Sequence, residues 1–494
     1  MTIAASLLDR LVDKSLVLEA GVIGGDWLPA AEGGAMFDVR NPATGERLAT
    51  LPDFGAVEVR RAVAAAYAAQ KDWASRATKE RSAALRRLYD LLMAHQADLA
   101  TILTMEMGKP LAEAKGEIAY GAGYVEWFGE EAKRVYGDII PGHQSDKRIV
   151  VLRQPVGVVA AIAPWNFPSA MIARKVAPAL AVGCAVVVKP AAETPLSAIA
   201  MAVLAERAGI PLALFNVVPT TDAPGFGKEV CASDQVRKLT FTGSTQVGRK
   251  LIAQAADKVL RLSMELGGNA PFIVFDDADL EAAVDGAMQS KYRNAGQTCV
   301  CANRIYAQAG IHDAFVAKLS EKVLALQVGD GLAPSTTIGP LINEKAVGKW
   351  QEHVDDAVGK GAKVAVGGRR HAMGGTFVEP TLLTGVTSSM LVAREETFAP
   401  LAPVFRFETI DEVISLANNT EFGLAAYFFS RDISRIWKVA EALEYGMVGV
   451  NTGMISTEVA PFGGVKQSGF GREGSRHGLD DYVAMKHVCL GGIA

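Results

Sequence analysis

Cys299 stands in a sequence setting that suits nucleophilic chemistry. It follows a polar turn containing Gly296, Gln297 and Thr298, and the apolar, strand-like run 304–307 comes just after it. The thiolate is the nucleophile of cysteine chemistry, and nearby amides or cations favour it by lowering the thiol pKa. The pattern therefore predicts one reactive thiol at the mouth of the fold.

The preceding helix does not supply the charge that would activate this thiol. The sequence predicts a helix over residues 279–296, and the end nearest the cysteine is its negative end. We therefore expect the pKa of the Cys299 thiol to be lowered by Lys291, Arg293 or residues distant in sequence. The alternative for an isolated cysteine is a buried and inert side chain.

Three further residues point to a ligand site. Ser244 follows a strand-like run and opens a helix, where free backbone amides attract a pyrophosphate. Lys189 ends another strand at the same edge of the predicted sheet. Glu265 is either a solvated strand end or a carboxyl group with a raised pKa, suited to general base work. The plain alternatives for the first two are an ordinary capped helix and a surface lysine, and the usual GxGxxG fingerprint is absent.

Length and composition set the class of the protein. A chain of 494 residues is too long for one core, which favours two or three domains. Half of the residues are hydrophobic and 21% are charged, an ordinary globular balance. A net charge of −4 with dispersed lysine and arginine argues against nucleic acid as a partner.

Several other classes of protein are excluded by motif. The N-terminal segment does not match a secretory signal and the apolar runs are too short to span a bilayer, so we expect a cytoplasmic protein with no membrane partner. Five scattered cysteines do not make a set of disulfides. Seven histidines fall in no HExxH or HxxxH pattern, so no metal site is predicted.

The predicted secondary structure that must position these residues changes along the chain, from helices to a hairpin and then to alternating strands and helices. Residues 55–127 carry apolar residues three and four apart, which predicts helices covering a sheet. Residues 137–151 indicate an extended hairpin. From Val158, four short β-branched runs alternate with helices, which predicts a parallel, doubly wound sheet with its ligand at the carboxyl ends of the strands.

A second α/β segment follows and contains the candidate nucleophile. It begins at Pro271, passes through the cysteine stretch and has strands predicted near Lys363 and Phe377. The tail after Asn451 is rich in glycine and ends in an alternating apolar run, 481–492. We expect that run to be an edge strand that pairs with another subunit.

Seven motifs, taken in order, resemble those of the aldehyde dehydrogenase superfamily over nearly the whole chain. They are PWNFP (164–168), VVKP (187–190), FTGSTQVG (241–248), MELGG (264–268), GQTC (296–299), EETF (395–398) and PFGGVKQSGFGRE (461–473). Within the superfamily, the segments NAGQTCVCANR, FGLAAYFFSRD and GREGS are most similar to the succinate-semialdehyde dehydrogenases.

The resemblance implies an α/β fold of three domains, the aldehyde dehydrogenase fold. Residues 1–137 and 159–266 would form a Rossmann-like dinucleotide-binding domain, and residues 267–465 an α/β catalytic domain. Residues 138–158 and 466–494 would form a small β domain for oligomerisation. Homodimers or homotetramers are then expected.

The resemblance also implies catalytic roles. Cys299 matches the nucleophile that attacks the aldehyde carbon to give a thiohemiacetal and then a thioester. The Asn166 side-chain amide and the Cys299 backbone N–H match the pair that holds the oxyanion. Glu265 resembles the general base for thioester hydrolysis, and Glu473 an acid near the proton path.

A third implied set binds the cofactor. The matching positions are Trp165, Lys189, Ala192, Gly243, Ser244, Gly248, Glu396 and Phe398. Relatives that prefer NAD usually carry a glutamate at the position of Ala192, where it bonds the adenosine ribose. Without that carboxylate a 2′-phosphate is not repelled, so we expect NADP, unless Glu193 turns inward and favours NAD.

The expected substrate is a short aldehyde acid. Arg174, Arg293 and Ser456 align with the residues that hold a distal carboxylate in the resembled group, and a guanidinium pair suits a carboxylate through bidentate, charge-assisted bonds. The resemblance implies succinate semialdehyde, with glutarate semialdehyde or another ω-carboxylated aldehyde as the alternative. The plain alternative for the two arginines is a surface helix residue and a helix cap.

Cys301 adds a redox hypothesis. Relatives with two cysteines in this spacing can bond the two sulfurs reversibly, which removes the nucleophile. Such a bridge is strained in CxC and needs a mobile loop. The alternative is a bystander cysteine.

An alternative hypothesis from a different class of enzyme is a cofactor-free thioesterase or acyltransferase. It needs a histidine partner for the cysteine, and no histidine lies in a recognisable motif.

Overall fold

The computed structural model describes residues 3–493 and shows an α/β fold. Its strands are β1 (Gly21–Ile23), β2 (Asp26–Leu28), β3 (Met36–Arg40), β4 (Arg47–Pro52), β5 (Asp138–Pro141), β6 (Arg148–Pro155), β7 (Val158–Ile162), β8 (Ala185–Lys189), β9 (Phe215–Val217), β10 (Val236–Thr242), β11 (Arg261–Glu265), β12 (Ala270–Val274), β13 (Ala302–Gln308), β14 (Lys363–Val366), β15 (Thr381–Thr384), β16 (Leu401–Phe407), β17 (Ala425–Phe429), β18 (Met447–Val450), β19 (Gly469–Phe470) and β20 (Val483–Leu490).

Helices of very different length connect these strands. The α-helices are α1 (Ala5–Leu8), α2 (Ala56–Ser75), α3 (Thr78–Ala94), α4 (Gln96–Met107), α5 (Leu111–Glu131), α6 (Ala170–Val182), α7 (Leu196–Arg207), α8 (Ala223–Ala232), α9 (Thr245–Ala255), α10 (Leu280–Lys291), α11 (His312–Leu324), α12 (Glu344–Gly359), α13 (Leu391–Arg394), α14 (Ile410–Asn418) and α15 (Ile433–Ala442). Short 3₁₀ helices span Lys14–Leu16, Ala132–Arg134, Leu212–Leu214, Ala256–Lys258, Arg293–Gly296, Lys466–Ser468 and Arg476–Tyr482.

The helical layer predicted over residues 55–127 is confirmed as α2 to α5. Helix α2 buries apolar residues three and four apart, such as Val59, Ala62, Val63 and Ala66, because that spacing places them on one face. Helix α5 packs along α6, which follows the first strand of the parallel sheet. This contact brings the N-terminal half of α5 beside the site described below.

The four predicted βα units are confirmed in the larger sheet. Its order is β19-β11-β10-β7-β8-β9-β1-β2, and β7 to β11 are parallel. The order reverses direction between β7 and β10. Since parallel strands end at one edge, Lys189, Thr242 and Glu265 lie together at that edge, at the ends of β8, β10 and β11.

The second α/β segment forms a separate sheet in the order β14-β15-β16-β13-β12-β17-β18. All its neighbours are parallel except β14 and β15. The strand predicted near Lys363 is confirmed, but the one placed near Phe377 is wrong. Residue Val378 makes a single bridge with Arg370, and the strand begins only at Thr381, directly after Pro380.

A third sheet confirms the predicted hairpin and tail strand. Strands β5 and β6 form the hairpin, and β20 pairs antiparallel along the whole of β6. The outer strands β5 and β20 leave exposed apolar side chains such as Ile139 and Met485. Pairing with another subunit stays a prediction, as does the cytoplasmic location. No helix within residues 3–493 combines the length and hydropathy needed to cross a membrane.

Two apolar cores correspond to the two larger sheets. The first joins buried residues of the chain up to Leu266 and from Leu479 to Val483, and the second joins residues between Ala270 and Phe462. The division lies close to the boundary at residue 266 predicted from the sequence. The domain assignment itself stays a prediction, and Gly469–Phe470 pairs with β11 in the larger sheet.

Candidate active site

One cavity of about 460 Å³ lies where the carboxyl edge of the larger sheet faces the second α/β segment. The predicted residues that line it are Trp165, Asn166, Arg174, Gly243, Ser244, Arg293, Cys299, Glu396, Phe398 and Ser456. The predicted residues outside this lining are Lys189, Ala192, Gly248, Glu265, Cys301 and Glu473. The cavity thus joins residues that are far apart in the sequence.

A left-handed turn presents Cys299 to this cavity. The values of φ are 52° at Asn294, 53° at Ala295 and 72° at Gly296. For a residue other than glycine this conformation costs roughly 1–2 kcal/mol. The turn ends α10 at Lys291, so the C-terminal limit of the helix predicted over 279–296 is wrong.

Side-chain hydrogen bonds fix this turn. Asn294 Nδ2 donates to the backbone oxygens of Asn166 and Gln297, at 3.0 and 3.2 Å. Gln297 Oε1 accepts from the Ile342 N–H at 3.0 Å, and Gln297 Nε2 donates to Pro340 O at 3.4 Å. The polar residues before the cysteine are therefore buried anchors of the loop.

The environment of Cys299 keeps its thiol neutral. Burial raises the pKa of Cys299 to about 12, and the nearby Arg174 charge opposes this shift only in part. The carboxyls of Glu396 and Glu265 raise that pKa further. Of the cations expected from the sequence, Arg293 and the distant Arg174 lower the pKa of Cys299. Lys291 lowers the pKa of Cys301 instead.

Asn166 is fixed beside the nucleophile. Its Nδ2 donates to Gln297 O at 3.0 Å, two residues before Cys299. Its backbone oxygen accepts from Lys109 Nζ at 2.8 Å as well as from Asn294. An amide nitrogen carries two hydrogens, so the second N–H of Asn166 remains for a ligand oxygen.

Glu265 lies buried at the end of β11, and neither carboxyl oxygen has a hydrogen-bond partner among the described residues. Burial, and then the charge of Glu473, raise the pKa of Glu265 well above its ordinary value. The predicted raised pKa is therefore confirmed. Its role as a base stays a prediction.

Arg174 and Glu473 form a buried ion pair that the sequence did not indicate. Arg174 Nη2 and Lys175 Nζ each lie 2.5 Å from a Glu473 oxygen. Burial raises the pKa of Glu473, but the two cations outweigh it and leave the pKa below its ordinary value. The predicted role of Glu473 near the proton path stays a prediction. The surface alternative for Arg174 is wrong, since the side chain is buried.

Helix α9 begins at the carboxyl edge as the sequence predicts. The Ser244 side chain accepts from the Val247 N–H, which confirms the cap. A Cβ at Gly243 would meet the Phe241 ring at 2.5 Å, and one at Gly248 would meet Leu266 at 2.5 Å. Both glycines are thus required by close packing around the helix start.

Lys189, Glu396 and the aromatic pair complete this side of the site. Lys189 is buried and its Nζ donates to Pro190 O at 3.1 Å. Glu396 accepts from the Gly268 N–H at 3.1 Å, and burial raises the pKa of Glu396 to about 7. Trp165 and Phe398 meet edge to face at 5.5 Å, and Phe398 is held at a φ of 55°.

These residues fit a nicotinamide dinucleotide. The start of α9 supplies free amides for a pyrophosphate, and the half-buried Glu396 carboxyl is available to hold a ribose hydroxyl. A Cβ at Gly267 would come within 3.1 Å of Glu396, so a glycine keeps the cradle open.

Two arginines bring positive charge to the cavity. Arg293 lies 5.4 Å from the Phe167 ring, and its Nε is buried without a hydrogen-bond partner in the described part of the chain. Ser456 and Tyr120 also line the cavity. Arg174 lies 4.0 Å from the Phe462 ring, with one terminal nitrogen already paired to Glu473.

Cys299 and Cys301 are both free thiols. Cys301 is buried, and its Sγ donates to Lys291 O at 3.5 Å. Burial raises the pKa of Cys301. The redox hypothesis stays a prediction.

Sequence reasoning missed several polar residues of the site. Lys109, Glu113 and Glu117 reach the cavity from the start of α5, and Lys349 donates to the backbone oxygen of Glu396 from α12. In the sequence these residues have the spacing of ordinary helix-surface charges. The one sequence feature that could have indicated these residues is the long helix α5, which has charges three to four residues apart and small residues between them.

Comparison with known proteins decides the family. A sequence profile of the aldehyde dehydrogenase family matches residues 27–488. The chain belongs to the aldehyde dehydrogenase family. The predicted fold class and the predicted enzyme class, an aldehyde dehydrogenase that uses a nicotinamide cofactor, are thereby confirmed. The cofactor-free thioesterase alternative is set aside.

Individual relatives of this aldehyde dehydrogenase cover the whole chain. It is 60% identical over 484 residues to a glutarate-semialdehyde dehydrogenase of Pseudomonas aeruginosa, covering 98% of this chain and 100% of that protein. It is 57% identical over 482 residues to an NADP(+) succinate-semialdehyde dehydrogenase of Escherichia coli, covering 98% and 100%. A solved succinate-semialdehyde dehydrogenase from Burkholderia pseudomallei superposes with a TM-score of 0.96 at 60% identity, covering 97% and 99%.

The raised pKa of Cys299 predicts the pH dependence of its alkylation. Because only the thiolate reacts, the rate of Cys299 modification by iodoacetamide in this aldehyde dehydrogenase should rise about tenfold per pH unit between about pH 7 and 10, without a plateau. Peptide mapping by mass spectrometry measures the rate, and Cys299→Ser removes the labelled peptide. Buried Cys184 serves as an internal control that stays unlabelled while the protein is folded. A plateau near pH 8 would contradict the desolvated thiol.

Proposed function

We propose that this enzyme oxidises succinate semialdehyde to succinate, with NADP as the hydride acceptor. The observation that carries the proposal is one cavity that holds the Cys299 thiol and the Arg293 guanidinium. A short aldehyde with a distal carboxylate presents matching groups to both. The Arg293 Nε has no hydrogen-bond partner among residues 3–493 and is a donor for that carboxylate.

The residues around Cys299 suit aldehyde chemistry. The Cys299 thiol gives its proton to ionised Glu265, whose charge acts on that thiol, and Sγ bonds to the aldehyde carbon while the carbonyl oxygen becomes an oxyanion, giving a thiohemiacetal. The free N–H of Asn166 and the Cys299 backbone N–H donate to that oxygen, and one such donor typically contributes about 100 to 1,000-fold in rate. A bound nicotinamide dinucleotide, which Ser244, Lys189 and Glu396 would hold, would supply the acceptor for the hydride that leaves this carbon. The C–H bond breaks, the oxyanion becomes a carbonyl again, and a thioester remains on Cys299.

Glu265 and the ion pair behind it suit the hydrolytic half of the reaction. Water attacks the thioester carbon and gives one proton to Glu265, and the bond from carbon to Sγ breaks to release the carboxylic acid and the Cys299 thiolate. Glu265 must be ionised for this step. Arg174 and Lys175 lower its pKa against the larger effect of burial. Ionised Glu473, beside both cations, can accept the proton in turn.

The preference for NADP is supported by Ala192. Its methyl group stands where a glutamate would repel a 2′-phosphate, and the Escherichia coli relative is named as an NADP(+) enzyme. Glu193 is exposed to solvent. Its charge, together with Asp53 and Asp222, still acts on Lys189, and this keeps NAD as the alternative.

Glutarate semialdehyde is the second candidate substrate. The relative from Pseudomonas aeruginosa is named for it and shares 60% identity. Its longer chain keeps the same two end groups, so the same residues would hold it. We further propose a homodimer or homotetramer joined through the sheet β20-β6-β5, whose two outer strands are open.

A steady-state assay tests the substrate proposal. Purified enzyme should reduce NADP with succinate semialdehyde at a higher kcat/KM than with glutarate semialdehyde. Uncharged butyraldehyde should be the poorest of the three, because it leaves Arg293 without a partner. Formation of reduced nicotinamide is followed at fixed cofactor concentration. A higher kcat/KM for glutarate semialdehyde would move the assignment to the longer acid, and a higher value for butyraldehyde would contradict the carboxylate site.

Arg293→Met tests the carboxylate anchor. Loss of charge-assisted bonds to a carboxylate should raise the KM for succinate semialdehyde by roughly 100-fold and leave the KM for butyraldehyde within about threefold. Arg431→Met, which changes an exposed arginine outside the cavity, is the matched control. An equal rise in KM for both aldehydes would show that Arg293 shapes the pocket but does not bind the substrate carboxylate.

Ala192→Glu tests the cofactor preference. The new carboxylate should repel the 2′-phosphate and accept a hydrogen bond from a 2′-hydroxyl, so the ratio of kcat/KM for NADP over NAD should fall roughly tenfold or more. Glu193→Gln is the companion variant and should raise the ratio or leave it unchanged. An unchanged ratio in Ala192→Glu would place the 2′ group elsewhere.

A further inference from the structure

Glu113, near the start of α5, reaches from the first half of the chain to the turn that carries the nucleophile. Its Oε2 accepts a hydrogen bond from the Asn294 backbone N–H at 2.8 Å. Asn294 is the first of the three left-handed residues, five positions before Cys299. This bond therefore joins helix α5 directly to the strained backbone of the Cys299 loop.

The Asn294 N–H needs such a partner because of the turn itself. In a continuing helix that N–H would donate to the carbonyl four residues earlier, but α10 has already ended at Lys291. A buried backbone donor without an acceptor is strongly disfavoured. Glu113 supplies the acceptor that the broken helix no longer provides.

A neighbouring contact from the same region fixes the other half of the site. Lys109 Nζ bonds both the Asn166 backbone oxygen, at 2.8 Å, and Glu117 Oε2, at 2.5 Å. Glu117 Oε1 also accepts from the Ser169 N–H, in the loop that follows Asn166. Lys109 and Glu117 thus hold the Asn166 loop, and Glu113 holds the cysteine loop.

We propose that Glu113 is a positioning residue, which holds the left-handed turn at Asn294 and so fixes Cys299 against Asn166. The inference rests on the proposed function in assigning the chemistry to Cys299. It adds a residue that touches neither the reacting thiol nor the oxyanion donors and acts through the Asn294 backbone.

The hydrogen bond, and not the negative charge, is the operative feature of Glu113. The charged groups that face it are Lys109 and Arg293, with Glu117 on the same helix. Burial raises the pKa of Glu113 against the opposing cations and the Asn294 N–H. A neutral acceptor of the same length should therefore serve equally well.

Three substitutions separate reach, charge and hydrogen bonding. Glu113→Gln keeps the length and an acceptor oxygen, Glu113→Met keeps the length without an acceptor, and Glu113→Asp keeps the charge but is one methylene too short. Displacement of reacting groups by about 1 Å typically costs about 100-fold in rate. We expect kcat to fall at least about tenfold in the Met and Asp variants, with KM within about threefold, and to stay within about threefold in the Gln variant.

Alkylation of Cys299 by iodoacetamide at pH 8 is the second readout and needs no substrate. A released turn should solvate the thiol, so the labelling rate should rise at least about threefold in the Met and Asp variants and stay at the wild-type rate in the Gln variant. Buried Cys184 reports unfolding, because general unfolding would label it in parallel. Glu130→Ala, at an exposed position on the same helix, is the matched control.

The two readouts distinguish failure of this inference from failure of the proposed function. If the wild type does not oxidise the aldehyde acids, the labelling rates still decide the positioning role. Wild-type kcat and labelling in both the Met and Asp variants would overturn the proposal. It would also be overturned if Gln behaved like Met, since charge would then be the operative feature, or if KM rose while kcat was unchanged, since Glu113 would then act on substrate binding.

Discussion

The structure depends on the left-handed turn at residues 294–296, since this turn ties the two α/β segments together at the thiol. Helix α10 belongs to the second segment, and Asn166 to the loop after the first strand of the parallel sheet. Asn294 donates to the Asn166 backbone, and the Asn166 side chain donates back to the Gln297 backbone. Two non-glycine residues in left-handed conformation are tolerated because these reciprocal bonds over-determine the loop.

Burial then sets the protonation of the groups that meet at the cavity. It raises the pKa values of Cys299, Glu265 and Glu396, whereas the paired cations Arg174 and Lys175 keep Glu473 ionised. Arg174, Lys175 and Glu473 thus form a compensated cluster of buried charge beside the cavity. The Cys299 thiol and the Glu265 carboxyl are held in their neutral forms until a change in their surroundings lowers their pKa values.

The sequence predicted local patterns well and long-range partners poorly. The parallel βα units, the Ser244 cap and the tail strand β20 were predictable because each depends on periodicity or on adjacent residues. The end of α10 was not, because no glycine or proline marks it and the break is enforced by bonds from elsewhere in the fold.

The residues of the candidate site show the same division. Motif resemblance identified Cys299, Asn166 and Arg293 as site residues, and all three line one cavity. The resemblance predicted only a substrate-binding role for Arg174. Its pairing with Glu473 was not predictable, because it depends on a contact between α6 and the glycine-rich tail that no local pattern reveals. Lys109, Glu113 and Glu117 went unnoticed because charges on a long helix ordinarily face solvent.

The charge pattern of the proposed substrate site constrains the end group of a ligand more tightly than the ligand's length. Lys109 and Arg174 are each paired with a buried glutamate, whereas Arg293 Nε keeps a free donor in the described residues. A site with such a donor selects strongly for a carboxylate, because a ligand without one leaves a buried polar group unpaired. One methylene changes binding by only about 1–3 kcal/mol, and a cavity of about 460 Å³ lined by flexible Met171 and Met454 can adapt to it. In keeping with this, relatives of nearly equal identity are named for aldehyde acids of different length.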